Sequence, residues 1–166
     1  MRTILRWLAI LVGMVVLAIG SLFVAARFHD GPLGPIPGGA LRSGAQVDAP
    51  VSDWKFATDV QTIEMQLANE SSSRTTWILV HDGRAFIPVS LAYPPGKRWH
   101  KAADQNGAAW IRIEGQRYPV SLTRVQDDPT RAALADVVRG KYAGPDGKGL
   151  PSDGGVWFFE IVSRAP

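Results

Sequence analysis

The sequence predicts a mainly β, α+β fold: a small six-stranded antiparallel barrel with one main helix, preceded by a single N-terminal transmembrane helix. Three observations carry this expectation. An uncharged run of twenty residues, "WLAILVGMVVLAIGSLFVAA", occupies positions 7–26, close to the roughly 20 apolar residues that cross a bilayer as helix. Downstream, β-rich runs are joined by Asp-Gly and Glu-Gly pairs at hairpin spacing. One late segment, "DDPTRAALADVVRGKY" (127–142), has the grammar of a helix. Hairpins with one late helix give a barrel with helical decoration.

The chain divides into an anchor at 1–27, a Gly/Pro-rich spacer at 28–53 and the barrel domain at 54–166. Arg2 and Arg6 precede the apolar run, which favours an N-terminus in the cytoplasm and the bulk of the chain outside the membrane. Two other readings of the run stay open. A cleaved signal segment would use Val24-Ala25-Ala26 as its small-x-small site, and a core helix would be buried. "HDGPLGPIPGGALRSG" (29–44) holds five glycines and three prolines, which sustain neither a helix nor a central strand.

Within the domain, "TIEMQLA" (62–68) alternates Ile63, Met65 and Leu67 against Thr62, Glu64 and Gln66, the period of a half-buried strand. "TTWILV" (75–80) and "RAFIPV" (84–89) flank the "HDG" turn, and a short helix is expected over Lys97–Gln105, stopped by Asn106-Gly107. "AWIRI" (109–113) and "RYPVSLTRV" (117–125) form a second hairpin, with Pro119 pointing to an edge or bulge. In 127–142, Asp128 is the expected cap, Pro129 suits the first helical position and Gly140 is the expected stop. A turn-rich loop, "AGPDGKGLPSDGG" (143–155), leads to the last strand, "VWFFEIV" (156–162).

Charge and composition exclude several function classes. Three of the 18 basic residues, Arg2, Arg6 and Arg27, lie at or before position 27, so the remaining 15 balance the 15 acidic ones. A neutral domain lacks the basic surface a nucleic-acid partner needs. There is no cysteine, which removes disulfides, thiolate nucleophiles and iron–sulfur clusters. His29, His81 and His100 have no metal-ligand spacing, and no G-x-S-x-G, G-x-G-x-x-G or P-loop motif occurs. No metal is therefore expected, and no side chain stands out as a catalytic acid, base or nucleophile.

Positive charge is concentrated in "YPPGKRWHK" (93–101), where Lys97, Arg98, His100 and Lys101 surround Trp99. Such a cluster solvates a helix, meets anionic lipid head groups or binds a phosphate. The order "SSSRTTWILVHDGRAFIPVS" (71–90), a basic turn with a short helix (95–107), then "GAAWIRIEGQRYPVSLTRV" (107–125) resembles the pyridoxamine-phosphate-oxidase-like superfamily of split β barrels. These bind flavin mononucleotide (FMN), with relatives that bind deazaflavin or haem. About 55 of the 166 residues carry the pattern, and "SLAYPPGKR" makes a longer turn than the family's usual Ser-x-Lys.

The resemblance implies a split barrel and a cofactor-phosphate site. Arg74 would be the strand arginine, Thr75 or Thr76 its hydroxyl neighbour and Ser90 the hydroxyl closing the hairpin. Lys97 and Arg98 would be the cations opening the helix, with Trp99 or Trp110 against a planar ring. Guanidinium matches phosphate through two parallel hydrogen bonds, and a helix start offers free N–H groups. FMN or deazaflavin, a flavin- or deazaflavin-dependent oxidoreductase activity and a homodimer follow as expectations. The rival reading, equally open, is a cofactor-free envelope scaffold or small-ligand module.

Overall fold

The computed structural model describes residues 2–142 and 155–164. Helix α1, Arg2–Phe28, is long and apolar enough to cross a bilayer by length and composition. Of its residues only Ala26 is buried, so the barrel leaves the rest of the helix uncovered. The strands are β1 (Ala45–Gln46), β2 (Thr62–Leu67), β3 (Arg74–Trp77), β4 (Leu79–His81) and β5 (Arg84–Ser90). Helix α2 (Trp99–Gln105) precedes β6 (Ala108–Ile113) and β7 (Gln116–Arg124), and α3 (Asp128–Tyr142) precedes β8 (Val156–Ser163).

Pairing follows the order β3-β2-β6-β7-β8-β5-β4, with β1 added in parallel against β7. The two ends of this sheet, β3 and β4, are consecutive stretches of one chain interrupted at Ile78. One bent strand thus nearly closes the barrel. Eight strands replace the expected six: the run at 75–80 is split in two by the bend, and the pair at 45–46 carried no apolar signal.

Alternation sets what lies inside. Ile63, Met65 and Leu67 of β2 face the interior with Ala109, Ile111 and Ile113 of β6 and Tyr118, Val120 and Leu122 of β7. Strands β5 and β8 are apolar on both faces because their outer face is covered as well. Phe86 and Phe158 form a second cluster with Leu134 and Val138 of α3. The cap of α3 differs from expectation: the Asp127 carboxylate, one residue earlier than Asp128, accepts the Thr130 N–H at 3.0 Å. The helix also runs past Gly140 to Tyr142. The expected loop at 143–155 falls, except for Gly155, outside the described residues.

Both hairpins turn as the sequence indicates. Asp82-Gly83 and Glu114-Gly115 have φ of 51° and 73°, and of 48° and 79°, the positive pair that lets two residues reverse a twisted ribbon. Pro119 lies in a central strand rather than at an edge. It falls where β7 changes partner, between Arg117, paired with β1, and Val120, paired with β8. Its carbonyl accepts Arg164 N–H on that side at 2.9 Å. N–H and C=O of one strand residue point the same way, so the missing donor removes nothing from the β6–β7 ladder.

The Gly/Pro-rich segment after α1 lies on the outer face of the barrel. Gly38 and Ser73 bond through both backbones at 3.0 and 3.2 Å, and the Ser73 hydroxyl donates to the Gly39 carbonyl at 2.5 Å. Leu41 is buried, and its N–H donates to Gln66 Oε1 at 2.8 Å. Gly38 is required sterically: an added Cβ would sit 1.7 Å from the Gly31 carbonyl oxygen. Gly38→Ala is expected to destabilise by about 1–3 kcal/mol, as overpacking does. It should also open 29–44 to protease, measurable by urea unfolding and limited proteolysis of the full chain.

Candidate functional site

Register decides which predicted residues share a face. Arg74 pairs with Met65 and Thr76 with Ile63, so both lie on the interior side of the sheet. Thr75 pairs with Glu64 and faces outward, where its hydroxyl donates to the Gly34 carbonyl at 2.7 Å. Trp110 also faces outward, opposite Gln66 and Pro119, with the Arg117 guanidinium 5.5 Å from its ring centroid. Thr75 and Trp110 therefore do not share a site with Arg74.

Arg74 and Trp99 do meet. The guanidinium lies over the Trp99 ring, 5.5 Å from its centroid, a cation–π geometry. Trp99 packs in turn on Phe159 (6.1 Å) and edge-on to His100 (6.4 Å), and His100 stands edge-on to Trp157 (5.3 Å). At the far end, the Arg124 guanidinium sits 3.5 Å from the Trp157 centroid and pairs with Asp104 at 3.3 Å. Phe159 and Trp157 also meet, at 6.3 Å, so Trp99 and His100 of α2 close a cluster of four rings with two rings of β8, with Arg74 on Trp99 and Arg124 on Trp157. Helix α2 is held there by Ala103, which is buried in the barrel core.

The basic turn is arranged differently from expectation. The helix begins at Trp99, so Lys97 and Arg98 precede it instead of forming its first turn. Lys97 Nζ donates to the Tyr93 carbonyl, and Ser90 Oγ accepts the Tyr93 N–H at 3.2 Å. Ser90 and Lys97 therefore close one turn together. Burial pushes the Lys97 ammonium below its usual range. Arg98 is exposed, and its carbonyl accepts the Lys101 N–H at 3.0 Å.

Three participants lie outside the set of expected site residues. Glu70, four residues before Arg74, forms an ion pair with its guanidinium. Burial pulls Arg74 downward while Glu70 supports its charge, and arginine stays protonated. His100 reads as a surface residue in a basic run, yet it is only 6% exposed. Burial first, then the Lys97 and Lys101 ammonium groups, push its imidazole below the usual range against the opposing Asp104. Trp157, within the final apolar run, joins the cluster through His100 and Phe159.

Two buried side-chain polar atoms have no partner among the described residues, Arg74 Nε and His100 Nδ1. Both belong to the side chains that flank Trp99. Buried polar atoms are nearly always satisfied, so such orphans call for an explanation. In kind, a half-buried guanidinium and the Thr76 hydroxyl on the same face suit a phosphate, whereas Lys97 is turned onto the Tyr93 carbonyl and Arg98 is exposed. The Glu70 carboxylate already holds an anion's place at that guanidinium. A separate open hollow of about 240 Å³ lies between residues 50–54 and β8, lined by Val51, Trp54, Arg84, Glu160 and Val162 among others. None of the sequence-predicted site residues lines it.

No protein-family model matches the chain, and no curated protein does. Similar solved structures include a protein designated a pyridoxamine 5'-phosphate oxidase from Listeria innocua, at 10% identity and TM-score 0.45 over 63% of this chain and 84% of that one. An F420 reductase is 13% identical with TM-score 0.44, covering 70% of this chain and 97% of its own. A second protein designated a pyridoxamine 5'-phosphate oxidase, from Corynebacterium glutamicum, is 12% identical with TM-score 0.41, covering 71% and 90%. By its own strand order and near-closure, this chain carries an antiparallel split β barrel behind a long apolar helix.

Proposed function

We propose that this is a membrane-anchored, extracytoplasmic split-barrel protein that binds a planar, phosphate-bearing redox cofactor of the flavin or deazaflavin type. One observation carries the reading: the two orphaned buried polar atoms, Arg74 Nε and His100 Nδ1, both flank Trp99. Arg74, Thr76, Lys97 and Arg98 would hold the phosphate, and Trp99 with Trp157 would offer ring faces. A bound flavin or deazaflavin supplies electron or hydride transfer, and the chain contributes binding, orientation and exclusion of water. Helix α1 is the anchor in this reading, and Arg2 and Arg6 keep its N-terminus on the cytoplasmic side. A homodimer completing the site belongs to the same proposal.

The second reading, a cofactor-free envelope module, is favoured by the Glu70–Arg74 pair, which neutralises the guanidinium without any ligand. The two separate on purified full-length chain in detergent, by visible absorbance and by quenching of added FMN fluorescence. Binding is expected, with Arg74→Ala and Lys97→Ala each weakening it by about 1.5–3 kcal/mol, the range for hydrogen bonds to charged groups. A colourless protein indifferent to FMN, deazaflavin and haem overturns the cofactor reading and leaves the scaffold.

A further inference from the structure

Glu70 stands on the turn that joins β2 to β3 and Arg74 opens β3, with side chains 27% and 18% exposed. Charges this far out of water depend on each other, since removing one leaves its partner uncompensated. The turn itself is fixed. Glu70 N–H donates to the Leu67 carbonyl at 3.0 Å, and its own carbonyl accepts Gln66 Nε2 at 2.8 Å. The backbone of the turn therefore places the Glu70 side chain beside Arg74. The same guanidinium lies over the Trp99 ring, 5.5 Å from its centroid; its Nη2 donates to Glu70, while its buried Nε has no partner among the described residues. A phosphate accepting from the guanidinium through the Nε–Nη2 fork takes the unpartnered Nε and meets the Glu70 carboxylate at Nη2, the donor for which the two compete.

Building on the cofactor reading above, we propose that Glu70 is an internal competitor for the ligand's phosphate. Its carboxylate holds Arg74 in the ligand-free chain, and a phosphate monoester binds by displacing it. Glu70 then sets both affinity and selectivity. A dianion displaces a monoanion from the guanidinium, whereas a phosphate-free flavin has nothing to exchange for the pair.

The test uses full-length chain in detergent, as wild type and as Glu70→Gln, which keeps the shape and removes the charge. FMN and riboflavin are titrated by fluorescence quenching, with inorganic phosphate as a competitor. FMN should bind the Glu70→Gln chain at least tenfold more tightly, the effect of freeing one charged hydrogen bond. Phosphate should compete at correspondingly lower concentration, while riboflavin affinity stays the same in both proteins. Unchanged or weaker FMN binding by Glu70→Gln, with wild-type binding intact, overturns the competitor role and leaves the cofactor reading standing. So does equal tightening of riboflavin, because the effect is then not on the phosphate. Failure of both proteins to bind FMN, with matching circular dichroism, removes the cofactor reading and this proposal together. If Glu70→Gln does not fold, Glu70→Asp takes its place. A smaller tightening for FMN alone supports the proposal, and unchanged affinity overturns it.

Discussion

Replacing Arg112 with alanine should lower the unfolding free energy by about 3–5 kcal/mol, the loss seen when one partner of a buried ion network is removed. The Arg112 side chain is 11% exposed and ties three segments together. Its Nε donates to Glu64 on β2, and Nη1 reaches Asp30 Oδ2 at 3.2 Å, Ser43 Oγ at 3.0 Å and the Ser43 carbonyl at 3.2 Å. Nη2 donates to the Asp30 carbonyl at 3.1 Å. Without the guanidinium, Glu64 and Asp30 lie close together with no counter-charge, and the segment after α1 loses its clamp. Arg112→Lys should recover less than half of the loss, because an ammonium cannot serve a fork of acceptors on three residues. Chemical unfolding of the full chain and protease sensitivity at 29–44 are the measurements. An unchanged denaturation midpoint with a protected segment would show that the clamp contributes nothing.

The same network gives a signed pH dependence. Burial alone would raise Asp30, but the Ser43 hydroxyl, the Arg42 and Ser43 N–H groups (2.7 and 3.0 Å) and the charge of Arg112 outweigh it. The carboxyl is held well below the usual carboxylate range. A carboxylate depressed in the folded state contributes stability that is complete above its unfolded pKa and is lost as the pH falls toward the folded value. Wild type should therefore lose stability as the pH drops below about 4, and Arg112→Ala should lose less over the same interval.

The second large effect is expected where the barrel closes. At Ile78 the bent strand leaves one ladder for another, and the Tyr142 hydroxyl takes over its backbone groups. It accepts the Ile78 N–H at 3.2 Å and lies 2.7 Å from the Ile78 carbonyl and 2.6 Å from the Gln61 carbonyl. Lys141 Nζ donates to the carbonyls of Thr58, Val60 and Ile78 at 2.7, 2.6 and 3.1 Å. The Tyr142 ring stacks on Trp77 at 4.2 Å and 4°. Burial pushes the Tyr142 phenol up to about 12, against the opposing Ile78 hydrogen bond, and pushes the Lys141 ammonium down. Tyr142→Phe keeps the stack but orphans a buried N–H, for an expected loss of about 1–3 kcal/mol. Lys141→Met removes three charge-assisted bonds and should lose about 2–3 kcal/mol. Thermal or urea unfolding of each variant checks this. Equal stability of both variants with wild type would mean that the strand bend supports itself.

Much of the fold was legible in short stretches. Ile63-x-Met65-x-Leu67 announced a half-buried strand, and Asp82-Gly83 and Glu114-Gly115 announced their hairpins. These signals are local: side-chain period and turn dihedrals are set by neighbours a few residues apart. The candidate site was legible only in part. Arg74 and Trp99, singled out by the sequence, do touch, and the alternation in Ala109-Trp110-Ile111-Arg112-Ile113, which sets Trp110 on the face of Arg112, already pointed Trp110 away from the interior.

From residue order alone came the apolar helix, the hairpin strands, the α3 helix and the neutral, cysteine-free character of the domain. Three features came from folding in three dimensions: closure at Ile78, the segment after α1 packed on the sheet, and the burial of His100 beside two tryptophans. The reason is reach. Arg112 meets Asp30 across 82 residues and Lys141 meets Thr58 across 83, and an acceptor at that separation leaves no periodicity or turn signature beside its donor.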